Sequence, residues 1–180
     1  MGPGPETGRL GHNPVLMSTW QQFSEEAPEL AAAVRARLEA TKHHVLATLR
    51  ARGSPRVSGT EVAFHADDLT LGSMWEAVKA RDLQRDGRFA LHANPGDGSM
   101  EGGDAKLAGV AVELGDEEKR ALGARGDPDE VEEHASPPEP YHLFRLDLHE
   151  VVLTSLHPDG DRLLIQTWRP GKPVARVERR

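Results

Sequence analysis

The stretch from Leu69 to His92, LTLGSMWEAVKARDLQRDGRFALH, determines which fold the chain is expected to adopt. A short apolar strand ends at Leu71, a tight turn with free backbone amides is predicted at Gly72 and Ser73, and a helical segment and a second strand follow. The segment from Glu76 to Arg85 has the apolar spacing of a short helix, with Lys79 near its start. A cation and free backbone N–H groups at a helix start can capture a phosphate. On these residues alone, an ordinary turn with a solvated lysine is the simpler interpretation.

Composition limits the classes of protein to which the chain can belong. A length of 180 residues predicts a single domain, residues 19–180, preceded by a Gly- and Pro-rich mobile tail, residues 1–18. The net charge of −7 argues against a nucleic-acid-binding surface, and no apolar run approaches the roughly 20 residues that span a membrane. The absence of cysteine excludes disulfides and thiolate sites. With no secretory signal evident, these features predict a cytoplasmic protein.

Alternating apolar and polar residues predict about seven strands, most of them joined by short turns. They are residues 43–52, 56–66, 69–71, 89–93, 104–114, 141–156 and 162–168. Between Trp20 and Lys42 the apolar spacing predicts a helix whose continuous part begins near Ala27, because Pro28 suits only a first turn. A short acidic helix follows residue 115, and an exposed acidic loop is predicted at 127–139. Short turns between strands favour a mainly β fold, an antiparallel barrel with flanking helices.

Few residues suggest chemistry without further context. The nine histidines show no helical ligand spacing, so no metal site is predicted. The sequence also lacks the glycine-rich signatures of dinucleotide and P-loop folds and the G-x-S-x-G motif of serine hydrolases. Trp168 has two interpretations: an aromatic that covers one end of the barrel, or a wall beside a flat heterocycle.

Three segments, taken in order, resemble the pyridoxamine 5′-phosphate oxidase-like proteins of the FMN-binding split-barrel superfamily. The first is LATLRARGSPRVSGTEVAF at Leu46–Phe64, which is similar to the first hairpin of the family. The second is the segment from Leu69 to His92, with its K-x-x-x-L-x-x-D-x-R-x-A-L pattern. The third is the ending RLLIQTWRPGKPVARVERR at Arg162–Arg180. The resemblance implies a split β-barrel and a homodimer.

The resemblance also assigns roles to individual residues. Lys79 would bind the phosphate of the cofactor, and Arg56 is the candidate for steering an anionic substrate. The other implied cofactor contacts lie on two strands and at the closing tryptophan: Ser58, Gly59 and Thr60 beside the isoalloxazine ring, Leu71, Gly72 and Ser73 at the phosphate and ribityl end, and Trp168 near the ring at the dimer interface. Many members have a serine two residues before the lysine, where this chain has Ala77.

The implied activity is hydride transfer to or from a small organic substrate, with the chemistry supplied by the cofactor. The cofactor is FMN or, as in related split-barrel reductases, the deazaflavin coenzyme F-420. No catalytic acid–base pair is assigned. One alternative is a non-catalytic carrier or sensor of the same fold that binds a flavin, haem or pyridoxal phosphate. Another is a small β-barrel with no cofactor.

Overall fold

The computed structural model describes residues 16–65, 68–96, 100, 102–123 and 140–180. This part contains four helices, α1 (Trp20–Glu26), α2 (Pro28–Glu39), α3 (Val78–Arg85) and α4 (Asp116–Gly123). Its nine strands are β1 (His44–Leu49), β2 (Pro55–Thr60), β3 (Val62–His65), β4 (Asp68–Met74), β5 (Arg88–His92), β6 (Asp104–Glu113), β7 (Tyr141–Leu156), β8 (Leu163–Trp168) and β9 (Ala175–Arg179). The predicted acidic loop at 127–139 and the predicted tail up to residue 15 lie outside the described residues.

The strands form one antiparallel sheet in the order β2-β1-β5-β6-β7-β4-β3, with β8 and β9 branching from β7. The branch arises because β7 has 16 residues and pairs with different partners along its length. Its first part pairs with β4, its last part pairs with β8, and β6 runs along most of its other edge. The sheet therefore divides into two lobes that share β6 and β7.

A bulge between Ala108 and Gly109 bends the long β6–β7 pair. A Cβ atom at residue 109 would lie 1.9 Å from the carbonyl oxygen of Asp147. Only glycine therefore fits this position, because any side chain would collide with the backbone of β7.

The first two helices cover the core with large apolar side chains. The Thr19 hydroxyl accepts a hydrogen bond from the backbone N–H of Gln22 and so caps α1, while Pro28 begins α2. Trp20 and Phe23 of α1 pack edge to face at 5.2 Å, and both are buried. The single helix expected from Ala27 onward is thus preceded by a second, short one.

The structure confirms the mainly β class and corrects several boundaries. The strand expected over 56–66 is two strands interrupted at Glu61, and β9 lies in a stretch with no predicted strand. Ser18, at the end of the predicted tail, pairs with Leu148 of β7 through two backbone hydrogen bonds. None of the helices in the described ranges combines the length and apolar character that crossing a bilayer requires.

Candidate functional site

Lys79 is the second residue of α3 and reaches across to the edge strand β2. Its ammonium donates to the carbonyl oxygen of Gly59 at 2.9 Å and to the hydroxyl of Thr60 at 3.3 Å. Burial lowers the pKa of Lys79 below its ordinary value, although the negative charge of Glu61 opposes this shift. An ammonium carries three N–H donors, and these contacts use two of them. The half-buried ammonium of Lys79 is therefore held in a fixed place and keeps one N–H donor for a further acceptor.

The start of α3 offers backbone donors beside this lysine. Ala77 occupies the N-cap position with φ −55° and ψ 139°, and its side chain provides no capping hydrogen bond. The first N–H groups of a helix have no partner within the helix, and the positive end of the helix dipole favours anions there. The departure from the serine of the family thus leaves the first turn of α3 without a side-chain cap.

Replacing Ala77 with serine is expected to raise the free energy of unfolding by about 1 kcal/mol, because serine at an extended N-cap accepts a hydrogen bond from the first turn. Urea unfolding of both proteins measures the change. The matched control is Ala32→Ser at an exposed position inside α2, where serine should be neutral or slightly destabilising. Equal effects of the two substitutions would contradict the capping role of residue 77.

The site residues predicted on β2 lie beside Lys79, whereas the turn predicted at Gly72 and Ser73 is not present there. Gly59 and Thr60 contact Lys79 directly, and Ser58 lies on the same strand. We expected a turn with free amides at Gly72 and Ser73. Both residues instead lie inside β4, paired with Leu143 and His142 of β7, and the chain turns only between Met74 and Ala77.

The side chains of β4 point largely into the interior. Leu71 has no exposed surface, because its side chain packs in the hydrophobic core on one face of the sheet. Ser73 is 3% exposed, and its hydroxyl has no hydrogen-bond partner among the described residues. The contact predicted between the Ser73 hydroxyl and a phosphate is therefore not supported by the position of this side chain.

Trp168 is a core residue rather than a wall of the site. Its side chain has no exposed surface, lies 4.7 Å from the ring of Phe23, and donates its indole N–H to Glu26 at 3.0 Å. Within a single copy of the chain, this position does not support the role predicted for Trp168 beside a cofactor ring, since a fully enclosed indole offers no surface to a ligand. The position matches the other interpretation, an aromatic that covers one end of the barrel.

Arg56 has an internal partner that the sequence did not suggest. Its Nε donates to the carboxylate of Asp82 at 2.6 Å, and Asp82 also accepts hydrogen bonds from Thr48 and Arg85 at 3.0 Å each. Burial by itself would raise the pKa of Asp82, but the hydrogen bonds from Arg56, Arg85 and Thr48 outweigh it, so this pKa lies below its ordinary value. Asp82 is therefore a buried carboxylate that remains charged because three donors surround it.

A second network, centred on His142 of β7, holds the turn before α3. The Nε2 of His142 accepts a hydrogen bond from the backbone N–H of Glu76 at 3.2 Å, so Nδ1 carries the proton that bonds Glu113 at 2.6 Å. The ring of Trp75 stacks on His142 at 4.7 Å, and Glu76 has a positive φ of 58°. The contact between His142 and Glu76 joins residues 66 positions apart, so no local pattern could have revealed it.

An apolar groove of about 280 Å³ crosses β1, β5, β6 and β7. Its lining combines apolar side chains, several of them small, with polar ones. The apolar lining includes Val45, Ala47, Ala90, Ala108 and Val152, and the polar lining consists of His92, Lys106 and Glu150. Val45 is 40% exposed although it lies within a strand. This sheet face is thus open and apolar in a single copy of the chain.

One cluster of side chains in the described ranges has the composition of a metal site. His157, Asp159 and Asp161 bring potential ligand atoms within 4.8 Å of one another. The guanidinium of Arg162 contacts Asp159 at 3.0 Å, Asp161 at 2.5 Å and the ring of His157 at 3.1 Å. Arg162 thus already supplies the positive charge that this cluster requires.

Comparison with known proteins gives matches among solved structures alone: no protein-family model and no curated protein matches the sequence. The structure of PhzG from Burkholderia lata 383, in complex with tetrahydrophenazine-1-carboxylic acid, has a TM-score of 0.57 at 18% identity, over 88% of this chain and 91% of the other. A pyridoxamine 5′-phosphate oxidase-related, FMN-binding protein from Nostoc punctiforme has a TM-score of 0.56 at 14% identity, over 86% and 96%. A putative pyridoxamine 5′-phosphate oxidase from Listeria innocua has a TM-score of 0.53 at 12% identity, over 68% and 95%.

The matched structures cover most of this chain and nearly the whole of each relative, so the similarity concerns the complete fold rather than one hairpin. At sequence identities below one fifth, the similarity concerns the fold and not the activity. The resemblance recognised in the three sequence segments is thus confirmed at the level of the fold: the chain has the split β-barrel fold of the pyridoxamine 5′-phosphate oxidase-related proteins.

Proposed function

We propose that this chain binds FMN at a homodimer interface and transfers hydride to or from a small organic substrate. The observation that carries the proposal is the Lys79 ammonium, held half-buried against Gly59 and Thr60 at the uncapped start of α3. The donor set suits a phosphate: one charged N–H donor beyond the two already used, and the N–H groups of the first helical turn. FMN binding by the relative from Nostoc punctiforme supports the same assignment.

The residues of this chain would bind and orient the cofactor. Lys79 and the start of α3 would hold the phosphate, while the exposed backbone at Gly59 and the side chain of Ser58 would lie along the ring, as the family resemblance implies. FMN, when bound, supplies the hydride chemistry, so the protein contributes position and exclusion of water. Arg56, with 21% of its side chain exposed, remains our candidate for contact with an anionic substrate.

The open sheet face supports a homodimer. Val45 and Val57 are 40% and 71% exposed although both lie within strands, and the apolar groove continues across β5 and β6. Covering such a surface with a second copy would remove apolar area from water, which is the main driving force for association. The small alanine side chains that line the groove would allow a second sheet or a flat ring to approach closely.

The proposal is tested by equilibrium titration of the purified chain with FMN and, separately, with coenzyme F-420, together with light scattering to measure mass. We expect a dimer and micromolar binding of FMN. Preferential binding of coenzyme F-420 would change the cofactor while keeping the site, and absence of binding to both would reject the proposal. Turnover with a nicotinamide donor then separates an oxidoreductase from a carrier or sensor.

A further inference from the structure

Asp82 lies one helical turn after Lys79 and holds α3 against the same strand that the lysine contacts. We propose that Asp82, through its bond to Arg56, is a positioning residue that sets the location of the Lys79 ammonium for phosphate binding. This inference rests on the proposed function. It adds a residue without ligand contact that determines how tightly the phosphate end of the cofactor is held.

The contacts of Asp82 join three elements. Asp82 is 3% exposed, and its carboxylate accepts hydrogen bonds from Arg56 of β2 at 2.6 Å, Thr48 of β1 at 3.0 Å and Arg85 of α3 at 3.0 Å. A carboxylate buried to this extent is stable only where its acceptors are satisfied, so its position is tightly restricted. The first residues of β2 and the middle of α3 are thereby fixed relative to each other.

Lys79 and Asp82 share one face of α3, because residues three apart lie on the same side of a helix. Both side chains contact β2: Asp82 binds Arg56, and Lys79 binds Gly59 and Thr60 at the far end of the strand. Among the strands that the structure describes, β2 pairs with β1 alone. These two side-chain contacts tie α3 directly to β2 and hold the distance between them, while Thr48 and Leu49 attach α3 to β1.

The lysine by itself cannot fix that distance. Its side chain is a flexible four-carbon chain that can follow the helix over several ångströms, whereas the bond between Arg56 and a buried carboxylate cannot. If the bond to Arg56 is lost, the start of α3 is freer to shift against β2, and the position of the Lys79 ammonium relative to the first turn of the helix is no longer fixed. The phosphate contact is then weakened, while contacts to the ring are little changed.

The first test compares the dissociation constants of FMN and riboflavin, which differ in the phosphate. Asp82→Asn keeps the size of the side chain and removes the charge, and Arg56→Gln breaks the same pair from β2 should Asp82→Asn fold poorly. We expect about five- to tenfold weaker FMN binding, with riboflavin binding unchanged within about twofold. The matched control is Asp86→Asn at the end of α3, whose carboxylate contacts Arg88 and leaves β2 untouched.

The second test needs no flavin. The ammonium group of Lys79 should give a slowly exchanging ¹⁵N signal in the NMR spectrum of the wild-type chain, because it is held by two acceptors, and Lys79→Arg identifies that signal. Asp82→Asn and Arg56→Gln should abolish the signal, while Asp86→Asn should retain it. Persistence of the Lys79 signal in both Asp82→Asn and Arg56→Gln, or equal weakening of FMN and riboflavin binding by these variants, would overturn the positioning role. Failure of the wild-type chain to bind FMN rejects the proposed function alone, since the ammonium signal still decides the inference about Asp82.

Discussion

Replacing Trp168 with alanine is expected to lower the free energy of unfolding by about 3–5 kcal/mol, the usual cost of deleting a buried tryptophan. The side chain is fully enclosed and packs on Phe23, so its removal leaves a cavity between β8 and α1. It also removes the indole N–H donor to Glu26, a carboxylate that holds the backbone N–H of Gly171 as well. Chemical denaturation followed by circular dichroism measures the loss.

The chain contains a matched control for this substitution. Trp75 is 55% exposed, so Trp75→Ala should change the free energy of unfolding by no more than about 1 kcal/mol. Acrylamide quenching provides a second test: in Trp75→Ala the remaining indoles, Trp20 and Trp168, are both buried, so their fluorescence should be protected. A small effect of Trp168→Ala, or ready quenching of Trp168, would show that this residue is accessible and would restore its predicted role beside a cofactor.

Replacing Lys79 with alanine is expected to weaken FMN binding by about 30- to 150-fold, because one charged hydrogen bond to phosphate contributes roughly 2–3 kcal/mol. Riboflavin binding should stay within about twofold of the wild-type value, since riboflavin has no phosphate to lose. Fluorescence titration of both ligands measures the two constants. The ratio between them isolates the phosphate contribution from any change in the ring site.

Lys172→Ala is the control for the change of charge. Lys172 is exposed in the turn before β9 and lies on a different element from α3 and β2, so its removal should leave both constants unchanged. Equal weakening of FMN and riboflavin by Lys79→Ala would mean that the lysine supports the fold of the site. FMN binding that is unaffected by Lys79→Ala would place the phosphate elsewhere.

Alternation in the sequence predicted the bounds of a strand accurately where a turn or loop lies at each end of it. The predicted bounds of β7 agree at both ends, and those of β6 differ only by the last residue, because alternation between buried and exposed positions is a property of neighbouring residues. The break at Glu61 was not predicted, since the residues on both sides keep strand character. It arises from pairing, because β2 pairs with β1 whereas β3 pairs with β4.

The candidate site was predicted in part for the same reason. Lys79 at a helix start follows from spacing within one segment, and Gly59 and Thr60 followed from the family resemblance. The turn placed at Gly72 and Ser73 was wrong, because glycine and serine favour turns locally, whereas pairing with β7 carries β4 on to Met74. The network around His142 left no local signal, because its members come from three separate elements.

The sequence by itself determined the mainly β class, the short helix that carries Lys79 and the absence of cysteine chemistry, because each depends on composition or on residues close in the chain. The tertiary structure alone decided that Trp168 belongs to the core and that Arg56 pairs with Asp82. The hydrogen bond of Trp168 to Glu26 spans 142 residues, and that of Arg56 to Asp82 spans 26. Such contacts depend on how strands pair and helices pack. The residues next to a tryptophan or arginine in a strand do not indicate which distant side chain it will contact.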